Sequence, residues 1–282
     1  MKRLWLPLAL VVALAGCNSP SESPPPADSR SAAPLAAPVA APLAAPVAAP
    51  VAAPARASWS YEGSTGPARW GDLDPAWSLA KSGRQQSPID IIPAKAVAMP
   101  LPPLAVDYSE TSLEILNNGH TIEDDYHGGG TLTVDDQVYR LAQFHFHSPS
   151  EHTIDGKYAA MELHLVHKNA AGELAVIGVL IEEGAAHPEL ALLWDHLPAE
   201  PGRSEEIEGL KVNASRLLPA SLACWRYAGS LTTPPCSEKV AWFVLRQSIT
   251  ASAEQVAAFR KVIHGNNRPT QSLHGRPVFA SP

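Results

Sequence analysis

Cysteine and methionine are scarce, three of each in 282 residues, and only 17 % of side chains are charged. Structural zinc in an exported protein normally draws on thiolates, and none of the three lies near the cluster of histidines at 145–152. Lys and Arg (21) are outnumbered by Asp and Glu (28), giving a formal charge of −7. With no basic run either, a nucleic-acid partner is excluded. The apolar run Leu4–Leu14 is too short for a permanent spanning helix, which needs about 20 residues. Helical spacing is also rare. Two stretches show it, too few to cover a parallel sheet on both faces.

What the chain does have begins at its N-terminus. Lys2 and Arg3 precede the apolar run, as in an export signal. Leu14-Ala15-Gly16-Cys17 resembles the lipobox of bacterial lipoproteins, which implies a signal peptide over residues 1–16 and lipidation of Cys17. Residues 17–57 hold a Pro/Ala-rich tract, "APLAAPVAAPLAAPVAAPVAAPA", with proline at every fourth position. Proline removes backbone donors and biases its neighbours toward extended conformations, so this tract reads as a semi-rigid spacer. Residues 58–282 have the composition of a globular domain, long enough for one core.

Within that domain, "SLEILNNGHTI", "VYRLAQFHFH", "AAMELHLVH", "LAVIGVLIE" and "VAWFVLRQSI" read as strands, divided by Gly, Asn, Asp and Pro. "HPELALLWDHL" reads as a helix starting at Pro188. "TASAEQVAAFRKVIHG" reads as a second, with Val256, Phe259, Val262 and Ile263 on one face and Gly265 as its stop. The expected fold is mainly β (α+β): a single domain on a large, mostly antiparallel twisted sheet with small peripheral helices.

The chemistry concentrates in "QFHFHSPSEH", Gln143–His152. Residues two apart on a strand share a face, so His145 and His147 converge while Phe144 and Phe146 point the other way. "ELHLVH" offers His164 as a third ligand, whereas His167 falls on the opposite face and reads as a satisfied core residue. Three neutral imidazoles leave a zinc ion one open position, as in catalytic sites. Gln143 and Glu162 each lie two residues before a ligand on the ligand face, suited to accept the second ring N–H. "HFHSPSE" also fits a fragment of the cupin motif, with Glu151 as a ligand. However, Tyr139 and Tyr158 stand where cupins need glycine, and no second cupin motif follows.

With "RQQSPIDI", "LNNGH", "GSLTTPP" and "NNRPTQ" in order around these histidines, the chain closely resembles the α-class carbonic anhydrases from about Trp59 to Val278. The resemblance implies reversible hydration of carbon dioxide to bicarbonate and a proton by zinc-bound hydroxide. On it, His145, His147 and His164 match the zinc ligands. Thr232 and Glu151 match the pair that orients the hydroxide, and Thr233 the residue that contacts bicarbonate. His120 matches the proton shuttle. Val166, Val176, Leu231, Val240 and Trp242 match the apolar wall for carbon dioxide. Asn118 and Gln143 match the polar wall, and Tyr61 the tyrosine beside the shuttle's water chain. The implied inhibitors are sulfonamides and small anions.

Two departures stand out. Ala80 occupies the place where exported relatives carry the partner of Cys236, so a Cys224–Cys236 disulfide is the expectation that remains. Glu123, followed by Asp124 and Asp125, adds negative charge near His120 and is expected to raise its pKa. The competing function is a binding module of the same fold that has lost zinc ligands; the complete ligand set here favours the enzyme. The expected location is the cell envelope, periplasmic and lipid-anchored. The outer membrane is favoured because Asn18 follows Cys17 where a retention signal would place Asp. The lipid is the one expected membrane contact, and the expected assembly is a monomer or homodimer.

Overall fold

The computed structural model describes residues 57–280. The lipobox, Cys17 and the Pro/Ala tract lie outside the described residues. Ten elements matter for the site. In chain order they are β1 (Thr111–Asn117), β2 (Ile122–Asp125), β3 (Gln137–His147), β4 (Met161–Lys168), β5 (Leu174–Glu183), α1 (Pro188–Trp194), β6 (Arg203–Val212), β7 (Cys224–Ser230), β8 (Glu238–Leu245) and α2 (Ala253–Val262). Among the described residues, one sheet holds thirteen strands, and its central run is β6–β1–β2–β3–β4–β5–β8–β7.

All these neighbours pair antiparallel except β5 and β8, which run parallel from Leu174–Val240 to Gly178–Val244. The sheet is therefore mostly antiparallel, as expected, with a parallel pair near its middle. β5 is buried on both faces from Ala175 to Ile181, the near-continuous apolar run that parallel pairing tolerates. β1 instead alternates buried and half-buried residues along its length, as a strand with one covered face does.

That alternation builds two apolar layers. Phe144, Phe146, Leu163, Leu165, Ile177, Val179 and Phe259 lie in the larger layer; full burial of each Phe stabilises by about 1.5–3 kcal/mol. Ile89, Ile91, Val176, Val240 and Trp242 lie in the smaller one. α1 starts at Pro188, as the sequence predicts. In α2 the Ser252 side chain accepts from Gln255 N while the Gln255 side chain accepts from Ser252 N, a capping box. Such a cap contributes about 1 kcal/mol. Ile263 is already extended, so the helix ends before Gly265.

The expected Cys224–Cys236 disulfide is corrected. Cys224 pairs with Leu245 at the start of β7, and Ser230 pairs with Glu238 at its end. Six steps along a strand cover about 20 Å. Cys236 sits at the Ser230 end, where Gln86 Nε2 donates to its carbonyl and Ser87 N donates to Ser230 Oγ. A bridge needs Cα atoms within about 7 Å. Both cysteines are buried, and neither is in a disulfide. Burial pushes the Cys236 thiol up to about 11.

Candidate metal centre

β3 and β4 place the histidines. His145 pairs with His164 and His147 with Glu162 across the antiparallel ladder. Period-two geometry then turns all four side chains to the same face, opposite Phe144, Phe146, Leu163 and Leu165. Beyond Val166 the register shifts, so that His167 pairs with Leu141. His167 is buried on the other face, where it shares a hydrogen bond with Tyr108 Oη at 2.6 Å and Nδ1 donates to Ala175 O at 3.2 Å. It is a satisfied core residue, as its position predicts.

The rings of His145, His147 and His164 lie 4.5–5.2 Å apart between centroids. One nitrogen of each falls within 4.8 Å of the others. The remaining nitrogens are held. His145 Nδ1 donates to Gln143 Oε1 at 2.8 Å, and His147 Nδ1 to Asn266 O at 2.7 Å. His164 Nε2 donates to Glu162 Oε1 at 3.0 Å. These bonds leave the unprotonated nitrogens facing a common point. Burial depresses all three imidazoles, His147 to about 4, so they are neutral ligands at pH 7. His147 Nε2 is buried with no hydrogen-bond partner among the described residues. Neutral nitrogen donors and an orphaned lone pair fit a zinc ion.

A second cluster, His152, Glu162 and His164, also has ligand spacing. Its hydrogen bonds are already satisfied. His152 Nδ1 lies 2.7 Å from Glu162 Oε1, and its Nε2 lies 2.7 Å from Tyr227 Oη. Glu162 Oε2 accepts from the backbone of Glu151 and His152, each at 2.8 Å. Burial alone would raise Glu162, but the imidazoles of His152 and His164 outweigh it and hold its carboxyl well below the usual range. Gly178, opposite His164 on β5, makes room for this carboxylate; a Cβ there would meet Glu162 Oε1 at 2.9 Å.

Glu151 is fully buried. Its Oε1 accepts from Arg268 N at 2.8 Å, while Oε2 lies 3.6 Å from His147 Nε2. Burial raises its pKa to about 7 against the opposing pull of His164 and of the Thr232 hydroxyl beside it. Among the described residues Oε2 has no partner of full hydrogen-bond geometry, so the Thr232 contact is a close approach. Thr232 and Thr233 occupy the loop between β7 and β8, pinned by Leu231 N to Ser237 O and Cys236 N to Thr233 O. Val166, Val176, Leu231, Val240 and Trp242 fall in one apolar cluster. The Trp242 ring lies 4.9 Å from that of His164 and is anchored by Nε1 donating to Ser230 O.

His120 follows a turn in which Gly119 has φ +84°, a conformation glycine takes without strain. Asn118 Oδ1 accepts from His120 N and Thr121 N, both at 2.9 Å. The imidazole stacks on Trp59 at the edge of a cavity of about 460 Å³, lined also by Trp77 and Pro234. Its pKa is lowered by burial, so the rise expected from Glu123 is corrected. The Glu123 carboxylate is engaged elsewhere, accepting from Gln143 Nε2 and Asn118 Nδ2. Tyr61 packs against Trp59 and Trp70, with its hydroxyl enclosed and unpaired among the described residues.

Sequence reasoning missed several supporting groups: Trp59 on His120, the Asn266 carbonyl on His147, Arg268 N on Glu151, and the His152–Tyr227 link behind Glu162. Asn266 and Arg268 fall in the "NNRPTQ" landmark, and His152 ends "QFHFHSPSEH". The motifs therefore marked three of the positions without showing what each holds.

A family model described as eukaryotic-type carbonic anhydrase matches residues 65–282. A carbonic anhydrase of Pectobacterium carotovorum is 46 % identical over 222 residues, covering 78 % of this chain and 90 % of that protein. One from Nostoc sp. is 44 % identical over 225 residues, covering 79 % and 85 %. The α-carbonic anhydrase of Thermovibrio ammonificans, solved with the inhibitor sulfanilamide, superposes with a TM-score of 0.78 at 44 % identity. It covers 80 % of this chain and 100 % of that structure. With the match spanning both histidine strands, Glu151 and the Thr232 loop, the chain belongs to the zinc-dependent α-carbonic anhydrase family.

Proposed function

We propose that this chain hydrates carbon dioxide reversibly to bicarbonate and a proton at a zinc ion held by His145 Nε2, His147 Nε2 and His164 Nδ1. The observation that carries this reading is the convergence of three neutral imidazole nitrogens within 4.8 Å, with every second ring nitrogen held by its own acceptor. Zinc on three histidines, for which carbonic anhydrase is itself the type example, is a Lewis acid that makes water nucleophilic at neutral pH.

The protein's own groups do the rest. Arg268 N and the buried surroundings fix Glu151 so that Oε2 faces Thr232 and the imidazoles. An ionised carboxylate is an acceptor only, so the Thr232 hydroxyl donates to it and presents its lone pairs to the site. Thr232 thereby holds the nucleophile's proton away from the carbon under attack, a positioning effect. The apolar face of Val176, Val240 and Trp242 receives carbon dioxide without hydrogen-bonding it. His120 accepts the released proton at the rim, imidazole being the side chain that ordinarily titrates closest to neutral, with burial lowering its pKa here. A sulfonamide anion is the expected inhibitor of this site.

Export and anchoring belong to the same proposal. Lys2, Arg3, the run Leu4–Leu14 and Cys17 support a lipid-anchored envelope enzyme. The test of function is stopped-flow hydration of carbon dioxide by the protein and by His164→Ala, with zinc quantified in both. Fast turnover lost together with the metal is the expected result. A zinc-loaded but inactive wild type would favour the binding-module reading.

A further inference from the structure

Two of the three acceptors that orient the imidazoles allow no choice. The Asn266 backbone carbonyl and the Glu162 carboxylate have no proton to give. Gln143 is different. Its amide could turn either the carbonyl or the NH₂ toward His145 Nδ1, and the second choice would turn the wrong ring nitrogen into the donor.

Glu123 lies on the adjacent strand, paired with His145 in the β2–β3 ladder. Its Oε2 lies 3.1 Å from Gln143 Nε2. The same oxygen takes a second, longer bond from Asn118 Nδ2 at 3.4 Å. Asn118 cannot flip either, because its Oδ1 is occupied by the backbone N–H groups of His120 and Thr121. Burial and the neighbouring Asp125 push the Glu123 carboxyl up to about 7, and in its ionised form it meets both amides only through their NH₂ groups. With Glu123 ionised, the direction of every bond from the His120 turn to His145 is fixed.

We propose that Glu123 is a positioning residue for the metal centre: its carboxylate locks the Gln143 amide with Oε1 toward His145 Nδ1, which holds the Nε2 lone pair toward the metal. This rests on the three-histidine zinc site proposed above. Glu123 touches neither metal nor substrate; it acts through Gln143. An amide at position 123 would leave the Gln143 amide free to adopt both orientations. The expected consequence is faster loss of the metal, because the His145 tautomer would no longer be enforced.

The test is the rate of zinc release from the full-length holoprotein to a chelator, followed for Glu123→Gln, Gln143→Leu and the double variant. Thermal melts establish that each is folded. Changes to outer-shell partners typically cost 10–100-fold in metal affinity, and Glu123 stands one bond further out. Glu123→Gln is therefore expected to speed release about 3–10-fold in the wild-type background and by less than about 2-fold in the Gln143→Leu background. Glu123→Asp serves as a second variant, keeping the acceptor-only character and releasing zinc more slowly than Glu123→Gln. Equal acceleration in both backgrounds would mean that the charge acts directly on the metal, and would overturn the proposal. Unchanged release in Glu123→Gln would overturn it as well. A wild type that binds no zinc would instead remove the metal-site reading, and this proposal with it.

Discussion

The indole of Trp59 lies flat against the imidazole of His120, with ring centroids 3.7 Å apart and planes inclined by 9°. The contact joins the first described segment of the chain to the turn between β1 and β2. It also covers one face of the imidazole, whose pKa burial lowers. Replacing Trp59 by Ala exposes the imidazole and relieves the desolvation of its charged form. The half-titration point of His120 should rise from below 6.5 toward 6.5, as read from its ring proton shifts in NMR. Proton transfer measured at low buffer concentration should change with it, while zinc content stays the same.

A different logic governs Glu151. Its Oε1 is committed to Arg268 N, so in Glu151→Gln the carbonyl must stay there and the new NH₂ must face Thr232. Thr232 Oγ1 would then accept from that amide, where the proposed mechanism has it donate to a carboxylate, and its proton would point into the site. Volume and fold are conserved. We expect kcat/KM for carbon dioxide hydration to fall about 100-fold or more, the scale of losing a preorganised hydrogen bond at a reacting centre. Zinc content, measured in the same samples, should be unchanged.

Much of this site was legible because strands impose a simple rule. Period two puts His145, His147, Glu162 and His164 on one face and Phe144 and Phe146 on the other, with no knowledge of the fold required. The helices declared themselves through Pro188 and through the apolar spacing of Val256 and Phe259. What stayed hidden has physical causes. β6 was missed because it is exposed along most of its length, so its pattern carries no burial signal. The Asn266 carbonyl has no side-chain signature at all. The parallel pairing of β5 with β8 could not be read, since strands buried on both faces show no alternation. The disulfide error came from pairing Cys236 with the one candidate cysteine left once Ala80 was found in its partner's place, overlooking that β7 holds Cys224 extended away from Cys236.

That correction has a direct check. Alkylation of the unfolded, non-reduced protein followed by peptide mass analysis should find both Cys224 and Cys236 modified. Folded protein should react slowly at either position, because both are buried and the Cys236 thiol is pushed up to about 11. Reductant should leave the melting temperature unchanged.

Metal removal tests the centre through stability, without reference to turnover. The three ligand nitrogens are brought together by the β3–β4 register, which exists only in the folded chain. An ion that binds the folded state alone stabilises it by about 4 kcal/mol when present at 1,000 times its dissociation constant. For a domain of this size each kcal/mol shifts the midpoint by about 2–4 °C. Chelation should therefore lower Tm by about 8–16 °C, and stoichiometric zinc should restore it. His147→Ala removes the nitrogen that is buried without a hydrogen-bond partner among the described residues. It also opens a small cavity, so its own Tm will be lower than that of the wild type. The diagnostic quantity is the response: added zinc should raise the His147→Ala midpoint by no more than a degree or two, because two imidazoles leave the ion half-coordinated.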